Sequence, residues 1–184
     1  MRENPRRLME QYGVHPRKSL GQNFLVDPAA PDRIAGYAKL DREDTVIEVG
    51  AGLGTLTAAL ADRAGRVVAV ETDPEMVAIL HRELDRENVE VVEGDILALD
   101  PARLLGVTPS EESRPLWGER LPHYKVVANL PYYITSAVIR HCFEAAVRPI
   151  TMILTVQYEV AKRMTAEPGD MSLLAVSAPF YSEP

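Results

Sequence analysis

Four short segments of this chain carry glycines, carboxylates or amides in arrangements that could bind a ligand or catalyse a reaction. They are residues 48–54 (EVGAGLG), Glu71, residues 94–96 (GDI) and residues 129–133 (NLPYY). Each ends or directly follows an apolar, β-branched run, and ligands of open α/β sheets bind at the carboxyl ends of the strands. The four segments are therefore predicted to form one shared site.

The glycine-rich segment indicates which kind of ligand is bound. Glycines let the backbone approach a ligand closely and adopt dihedral angles that other residues avoid. A dinucleotide fingerprint would need glycine at position 55, where this chain has Thr55. The spacing G-x-G-x-G, with Glu48 two residues earlier, favours S-adenosylmethionine over NAD, since this cofactor has no pyrophosphate and its sulfonium cation tolerates carboxylates. Gly50 and Gly52 are therefore candidate cofactor-binding residues; the alternative is a strand-to-helix turn without a ligand.

Two carboxylates follow the next two apolar runs. Glu71 lies 17 residues beyond Gly54, where an acidic side chain can accept hydrogen bonds from both hydroxyls of an adenosine ribose. Asp95 could accept a hydrogen bond from the exocyclic amine of the adenine, with Ile96 against the ring. The alternatives are a solvated surface carboxylate for Glu71 and an Asx-turn or helix N-cap for Asp95.

The NLPY segment predicts catalysis on an aromatic amine. Such a nitrogen is hard to methylate because its lone pair is delocalised into the ring. The Asn129 side-chain oxygen and the Leu130 carbonyl could hold both amino hydrogens and direct the lone pair towards the methyl group. Pro131 would stiffen the turn, and Tyr132 would offer a face for stacking the base; the alternative is an ordinary strand-ending turn. This chemistry needs no metal, and the four histidines have no ligand spacing, so we expect none.

Alternating strands and helices must position these segments. Strands are predicted at 45–49, 66–71, 89–93, 125–129 and 151–157, and helices at 55–63, 75–86 and 136–146. This alternation implies βαβ units, a mostly parallel sheet and the α/β class. Pro74 suits the first turn of its helix, and Asp73 and Glu75 are predicted to be first-turn acids that bind no ligand. Residues 106–123, with three prolines and two glycines, predict an exposed loop, either a surface insertion or a lid over the substrate.

Composition limits the cellular setting and the partners. The 184 residues suffice for one domain, and the net charge of −7 argues against a chain that merely coats nucleic acid. Residues 1–20 nevertheless carry five basic and two acidic side chains, so a basic arm precedes an acidic body. The chain has one cysteine, Cys142, and neither a signal-like segment nor an apolar run of about 18–20 residues. We therefore expect a cytoplasmic protein without a membrane partner.

As an ordered set, these segments resemble the ribosomal RNA adenine N6-dimethyltransferases. Residues 18–25 (KSLGQNFL) and 156–164 (VQYEVAKRM) extend the resemblance, which covers about residues 8–170. It implies a Rossmann-like class I methyltransferase fold, S-adenosylmethionine as cofactor and S-adenosylhomocysteine as product. It also implies that Asn23 and Leu25 contact the cofactor, that Gly50 lines its methionine portion, and that Asn129 lies where the cofactor and the target amine meet.

The motifs also distinguish branches of the family. LGQNFL, together with Leu130 in NLPYYI, resembles the small-subunit branch, which acts in ribosome assembly. This implies dimethylation of two adjacent adenosines near the 3′ end, with small-subunit ribosomal RNA or the pre-ribosomal subunit as partner and a monomeric enzyme. The alternatives are a large-subunit enzyme of the macrolide-resistance branch, a DNA adenine methyltransferase, and a non-catalytic RNA-binding assembly or transcription factor.

The chain departs from the family pattern towards its C terminus. Members continue with further strands, a phenylalanine near the target base and a small helical domain that contacts RNA. Ser172 and Pro179 also replace the expected glycine and glutamine. We therefore expect a truncated chain that binds the cofactor but methylates weakly. Its two expected parts are a basic, cofactor-covering arm at 1–27 and a methyltransferase domain at 28–184 that is incomplete at its C terminus.

Overall fold

The structure, a computed structural model, describes residues 5–17, 22, 24, 25, 27–107 and 123–164. Within these ranges the strands are β1 (Thr45–Val49), β2 (Arg66–Glu71), β3 (Val89–Glu93), β4 (Tyr124–Asn129) and β5 (Thr151–Thr155). The helices are α1 (Pro5–Tyr12), α2 (Ala30–Tyr37), α3 (Thr55–Ala61), α4 (Pro74–Glu83), α5 (Pro101–Leu104), α6 (Thr135–Glu144) and α7 (Tyr158–Met164). Short 3-10 helices follow β3 at Ile96–Ala98 and β4 at Tyr132–Ile134.

The five strands form one sheet in the order β3-β2-β1-β4-β5, and every neighbouring pair is parallel. β1 lies at the centre, with Thr45 opposite Arg66 of β2 on one side and Tyr124 of β4 on the other. The strand order reverses at β1, and a crevice for a ligand forms at such a reversal. The predicted α/β class with a parallel sheet is confirmed.

Helices cover both faces of the sheet because successive residues of each buried strand point to opposite sides. Val46 and Val67 belong to an apolar cluster with α2 and α3. Their neighbours Ile47 and Val68 belong to a second cluster with α5 and α6. The central strands are apolar on both faces, as expected for a buried parallel sheet, and they hold the ends of β1 and β4 rigidly.

The N-terminal helix α1 packs against the glycine-rich loop that follows β1 and against α4. One apolar cluster joins α1, the glycine-rich loop and α4 through Leu8, Val14, Leu53, Met76 and Ile79. The Tyr12 hydroxyl donates a hydrogen bond to the Glu83 carboxylate at the far end of α4. Helix α1 is therefore docked along α4, whose first turn follows β2.

Element boundaries depart from the predicted ones by a few residues. β4 begins at Tyr124, whose hydroxyl donates to the Val147 carbonyl at 3.1 Å, and β5 ends at Thr155. α4 ends at Glu83 because Leu84 leaves the helical conformation, with φ −116° and ψ 76°. Most of the predicted loop 106–123, from residue 108 to 122, lies outside the described residues. None of the described helices is long and apolar enough to cross a membrane.

Candidate functional site

A cavity of about 340 Å³ opens at the carboxyl ends of the strands, where the strand order reverses. The predicted site residues that line it are Leu25, Gly50, Glu71, Asp95, Ile96, Asn129, Leu130 and Pro131. Residues without an individual predicted role also line it, among them Gln22, Phe24, Thr72, Leu97, Tyr133 and Ile134. Glu48, noted for its position before the glycines, is part of the lining as well. The segments at the ends of β1, β2, β3 and β4 thus meet in one place.

The three glycines of the loop have different tasks. Gly50 has φ +76°, lines the cavity, and leaves open space where a Cβ would stand. Gly52 has φ +54° and lies outside the cavity lining; its N–H donates to Glu71 Oε2 at 2.7 Å. Gly54 has φ +77°, and a Cβ there would come within 2.9 Å of the Leu80 side chain. The loop can therefore bring backbone to a ligand at Gly50, while the other two glycines fix its shape.

Glu71 is buried at 6% exposure and fastens this loop to β2. Its Oε2 accepts the Gly52 N–H, and its Oε1 accepts the N–H groups of Thr72 at 2.8 Å and Asp73 at 2.9 Å. Within the described part of the chain, Oε2 accepts this single bond, so it keeps capacity for a donor from the cavity. The Glu71 carboxylate therefore holds the glycine-rich loop against β2 and also offers a hydrogen-bond acceptor to a ligand in the cavity.

Asp95 caps the short helix that follows β3. Its Oδ1 accepts the Leu97 N–H at 2.9 Å, which confirms the N-cap interpretation. The carboxylate also lines the cavity, and Ile96, at 3% exposure, presents apolar surface beside it. Capping and ligand binding are compatible here because a carboxylate has two oxygens and the cap uses one.

Glu48 is a buried acid in the lining of the cavity. It is 1% exposed, and neither its Oε2 nor the Thr57 hydroxyl has a hydrogen-bond partner among the described residues. Burial, reinforced by the negative charge of Glu71, raises the pKa of the Glu48 carboxyl from 4.5 to about 8. A buried acceptor without a partner is costly, so the site is suited to a ligand that brings a cation or a donor.

Replacing Glu48 by glutamine should remove a pH dependence of stability. In the folded chain the pKa of the Glu48 carboxyl is about 8, above its ordinary value of 4.5. Between these two pH values the folded chain keeps a proton that the unfolded chain has already released. Wild-type stability should therefore fall as pH rises through this window, by up to about 1.4 kcal/mol per pH unit. Urea denaturation across the window should give a flatter profile for Glu48→Gln, and a wild-type profile for the exposed control Glu93→Gln. Parallel profiles for Glu48→Gln and wild type would contradict this.

The NLPY segment closes β4 next to the glycine-rich loop. Asn129 is the last residue of β4 and lies opposite Thr155 of β5, while Leu130 is buried at 2% exposure. The Pro131 carbonyl accepts the Ile134 N–H at 3.2 Å, which turns the chain so that Leu130 and Pro131 both line the cavity. The Tyr132 side chain lies outside the described residues.

The N-terminal segment supplies residues that the sequence did not assign to the site. Gln22 and Phe24 line the cavity with Leu25, whereas Asn23 lies outside the described residues. Asp73 was expected to be a first-turn acid of α4, and its side chain also accepts a hydrogen bond from Gln22 at 3.1 Å. The lining is carboxylate, amide and apolar, and no group of three or more potential metal ligands occurs within the described ranges.

Comparison with known proteins identifies the family to which this chain is similar. The family model described as ribosomal RNA adenine dimethylase matches residues 13–183. A relative from Dehalococcoides mccartyi, named ribosomal RNA small subunit methyltransferase A, is 46% identical over 178 residues, covering 96% of this chain and 57% of the relative. This chain therefore spans less than two thirds of that protein's length.

Solved structures give the same architecture. A 23S rRNA methyltransferase is 33% identical with a TM-score of 0.65, covering 85% of this chain and 57% of that structure. A dimethyladenosine transferase from Plasmodium falciparum is 28% identical with a TM-score of 0.64, covering 84% of this chain and 51% of that structure. Because the family model spans nearly the whole sequence, including all four site segments, the chain belongs to the ribosomal RNA adenine dimethylase family.

Proposed function

We propose that this chain is the cofactor-binding and catalytic part of an enzyme that dimethylates adenosine at N6 in small-subunit ribosomal RNA. Its targets would be two adjacent adenosines near the 3′ end, with S-adenosylmethionine as donor and the cytoplasm as location. The observation that carries the proposal is the single cavity in which the glycine-rich loop, Glu71, Asp95 and Asn129 meet. Family membership supports the chemistry, and the name of the relative from Dehalococcoides mccartyi supports the target.

The ends of β2 and β3 suit the adenosine part of the cofactor. Glu71 Oε2 would accept a hydrogen bond from a ribose hydroxyl in addition to the one that it accepts from the Gly52 N–H. The Asp95 oxygen that is not used for capping accepts the adenine amine, and Ile96 packs against the ring. A hydrogen bond to a charged acceptor contributes about 1.5–3 kcal/mol, so these two carboxylates give much of the affinity.

The glycine-rich loop and the N-terminal segment would hold the methionine part of the cofactor. The backbone of Gly50 approaches it through the open space at that residue, and Gly52 acts indirectly by holding the loop on Glu71. Leu25, with Asn23 beside it in sequence, covers the ligand from the basic arm at 1–27, while 28–184 forms the methyltransferase domain. When bound, S-adenosylmethionine supplies a methyl group activated by its sulfonium. The buried Glu48 carboxyl, which lines the same cavity, would then be available to that cation.

The NLPY segment holds the target base. An adenine must leave its stack to reach this site, and Tyr132 provides a face on which it stacks. The Asn129 side-chain oxygen and the Leu130 carbonyl accept the two amino hydrogens, and Pro131 keeps that carbonyl in place. The nitrogen lone pair then points towards the methyl group. The transfer would need no metal: it would break the sulfur–methyl bond and form the nitrogen–methyl bond, with S-adenosylhomocysteine and one proton from the amine as the other products.

The small subunit is favoured over the other targets. The relative that carries the small-subunit name is 46% identical, whereas the solved 23S enzyme is 33% identical. Leu130 at the second position of the motif supports the same choice, since by resemblance the resistance branch tends towards isoleucine there and DNA adenine methyltransferases more often have proline. A non-catalytic RNA-binding factor would not need an intact NLPY segment. We further propose that the protein acts as a monomer.

Transfer of labelled methyl groups tests the function. The protein, extended at its C terminus to the length of its relatives, is incubated with unmodified small subunits, large subunits and duplex DNA. We expect label in small-subunit RNA, recovered as N6,N6-dimethyladenosine, and at least about 100-fold less in the other two. The 184-residue chain should bind the cofactor in calorimetry and methylate poorly. Label only in large subunits or DNA would overturn the target, and binding of RNA without product would establish the non-catalytic alternative.

A further inference from the structure

Asp73 makes more contacts than a helix cap requires. It is 2% exposed, lies two residues after the end of β2 and caps α4, with Oδ1 accepting the Glu75 N–H at 3.1 Å. Its Oδ2 accepts a hydrogen bond from Gln22 Nε2 at 3.1 Å, and the Arg17 guanidinium lies 3.2 Å from the same oxygen. These two partners stand more than 50 residues earlier in the chain. Hydrogen bonds that involve a charged, buried group are stronger than neutral ones, so this carboxylate is a firm attachment point.

The attached residues belong to the wall of the cavity. The Gln22 side-chain oxygen accepts the Arg17 N–H at 3.0 Å, so the two partners of Asp73 also hold each other. Gln22, Phe24 and Leu25 line the cavity, and a Cβ at Gly52 would lie 3.3 Å from the Phe24 ring. A small movement of this segment would therefore change the space left for a ligand beside the glycine-rich loop.

Hydrogen bonds also connect Asp73 to the glycine-rich loop beside the cavity. The Asp73 N–H donates to Glu71 Oε1 at 2.9 Å, and Glu71 Oε2 accepts the Gly52 N–H at 2.7 Å. A continuous set of hydrogen bonds thus joins Arg17 and Gln22, through Asp73, to the glycine-rich loop. Asp73 itself is not among the residues that line the cavity.

We propose that Asp73 is a positioning residue that holds the N-terminal segment, seen here at residues 17, 22, 24 and 25, against the cofactor cavity. Cofactor affinity then depends on a carboxylate that does not touch the cofactor. This inference rests on the proposed function only for the identity of the ligand. The attachment itself is a property of the chain, which allows it to be tested separately.

A pair of matched substitutions isolates this role. Asp73→Ser keeps a hydroxyl that can cap α4 but is uncharged and too short to hold Gln22, and it leaves Arg17 with its ion pair to Glu75 alone. Asp100 provides the control, since it also precedes a proline and caps a helix, with Oδ1 accepting the Ala102 N–H at 2.9 Å. Asp73→Ser should lower the affinity for S-adenosylmethionine by about tenfold or more. Asp100→Ser should change it by less than about twofold.

A double-mutant cycle separates positioning from a general loss of structure. If Gln22 acts through Asp73, then Gln22→Ala in the Asp73→Ser background should lower the affinity by less than about twofold, although it costs more in the wild type. Additive losses, equal in both backgrounds, would overturn the proposal. Calorimetric titration gives all four affinities, and thermal denaturation verifies that each variant is folded.

Hydrogen exchange in the absence of cofactor tests the attachment directly. Amides of the attached residues Arg17, Gln22, Phe24 and Leu25 should exchange faster in Asp73→Ser than in wild type, and at the wild-type rate in Asp100→Ser. Unchanged exchange in Asp73→Ser would overturn the proposal, as would an unchanged affinity. A wild-type chain that fails to bind S-adenosylmethionine would contradict the proposed function instead, while faster exchange in Asp73→Ser would still support the attachment.

Discussion

Replacing Asn129 by alanine should lower the rate of methyl transfer by at least about 100-fold while changing cofactor affinity by less than about tenfold. Asn129 ends β4 at the cavity, in the position proposed to accept one hydrogen of the target amine. Without that acceptor only the Leu130 carbonyl holds the amine, so its lone pair is less well aligned with the methyl group. The substitution therefore disturbs the alignment of the reacting atoms and leaves most cofactor contacts intact.

The two effects are measured on two forms of the protein. Single-turnover methylation of small subunits by the extended protein gives the rate, and calorimetry on the 184-residue chain gives the affinity. Thr155→Ala is the control, because Thr155 pairs with Asn129 across the sheet without lining the cavity. It should methylate at close to the wild-type rate. Near-normal turnover by Asn129→Ala would rule out the proposed role.

Replacing Glu71 by alanine should impair both binding and folding. The variant loses the proposed ribose acceptor and leaves three backbone N–H groups, those of Gly52, Thr72 and Asp73, without their carboxylate. We expect cofactor affinity to fall at least about 100-fold. We also expect the free energy of unfolding to fall by about 2–4 kcal/mol, because buried donors are left unsatisfied.

Glu93→Ala is a matched control for Glu71→Ala. Glu93 ends β3 in register with Glu71 but is exposed and does not line the cavity. Its replacement should alter neither the calorimetric affinity nor the urea midpoint appreciably. An unchanged affinity in Glu71→Ala would exclude the ribose role, whereas an unchanged midpoint would show that the loop does not depend on this carboxylate.

Local sequence was sufficient to predict the sheet. β1, β2 and β3 have the predicted bounds because each is a short β-branched run flanked by glycine or polar residues. Helix ends were less predictable. α4 was expected to reach residue 86 and ends at Glu83, since Leu84 packs beside Gly54 and leaves the helix there. Such a contact depends on the folded loop, and no signal for it exists in the helix itself.

The site was predictable in position but not in its hydrogen bonding. A parallel sheet brings strand ends together, so segments that follow β1, β2, β3 and β4 had to meet. The hydrogen bond from the Gly52 N–H to Glu71 forms only because the loop lies close to β2. The spacing of the residues along the sequence does not reveal that distance. The pairing of Arg17 and Gln22 with Asp73 joins distant parts of the chain, and the sequence around Asp73 indicated only a first-turn acid of α4.

The central place of β1 in the sheet imposes an order on biosynthesis. Translation delivers β2 and β3 soon after β1, but β4, the other neighbour of β1, begins only at Tyr124. During this interval one edge of the apolar strand Thr45–Val49 has no partner, and such edges promote association between chains. The nascent chain therefore has a window of aggregation risk that closes when β4 leaves the ribosome, and slow decoding between residues 72 and 123 would lengthen it.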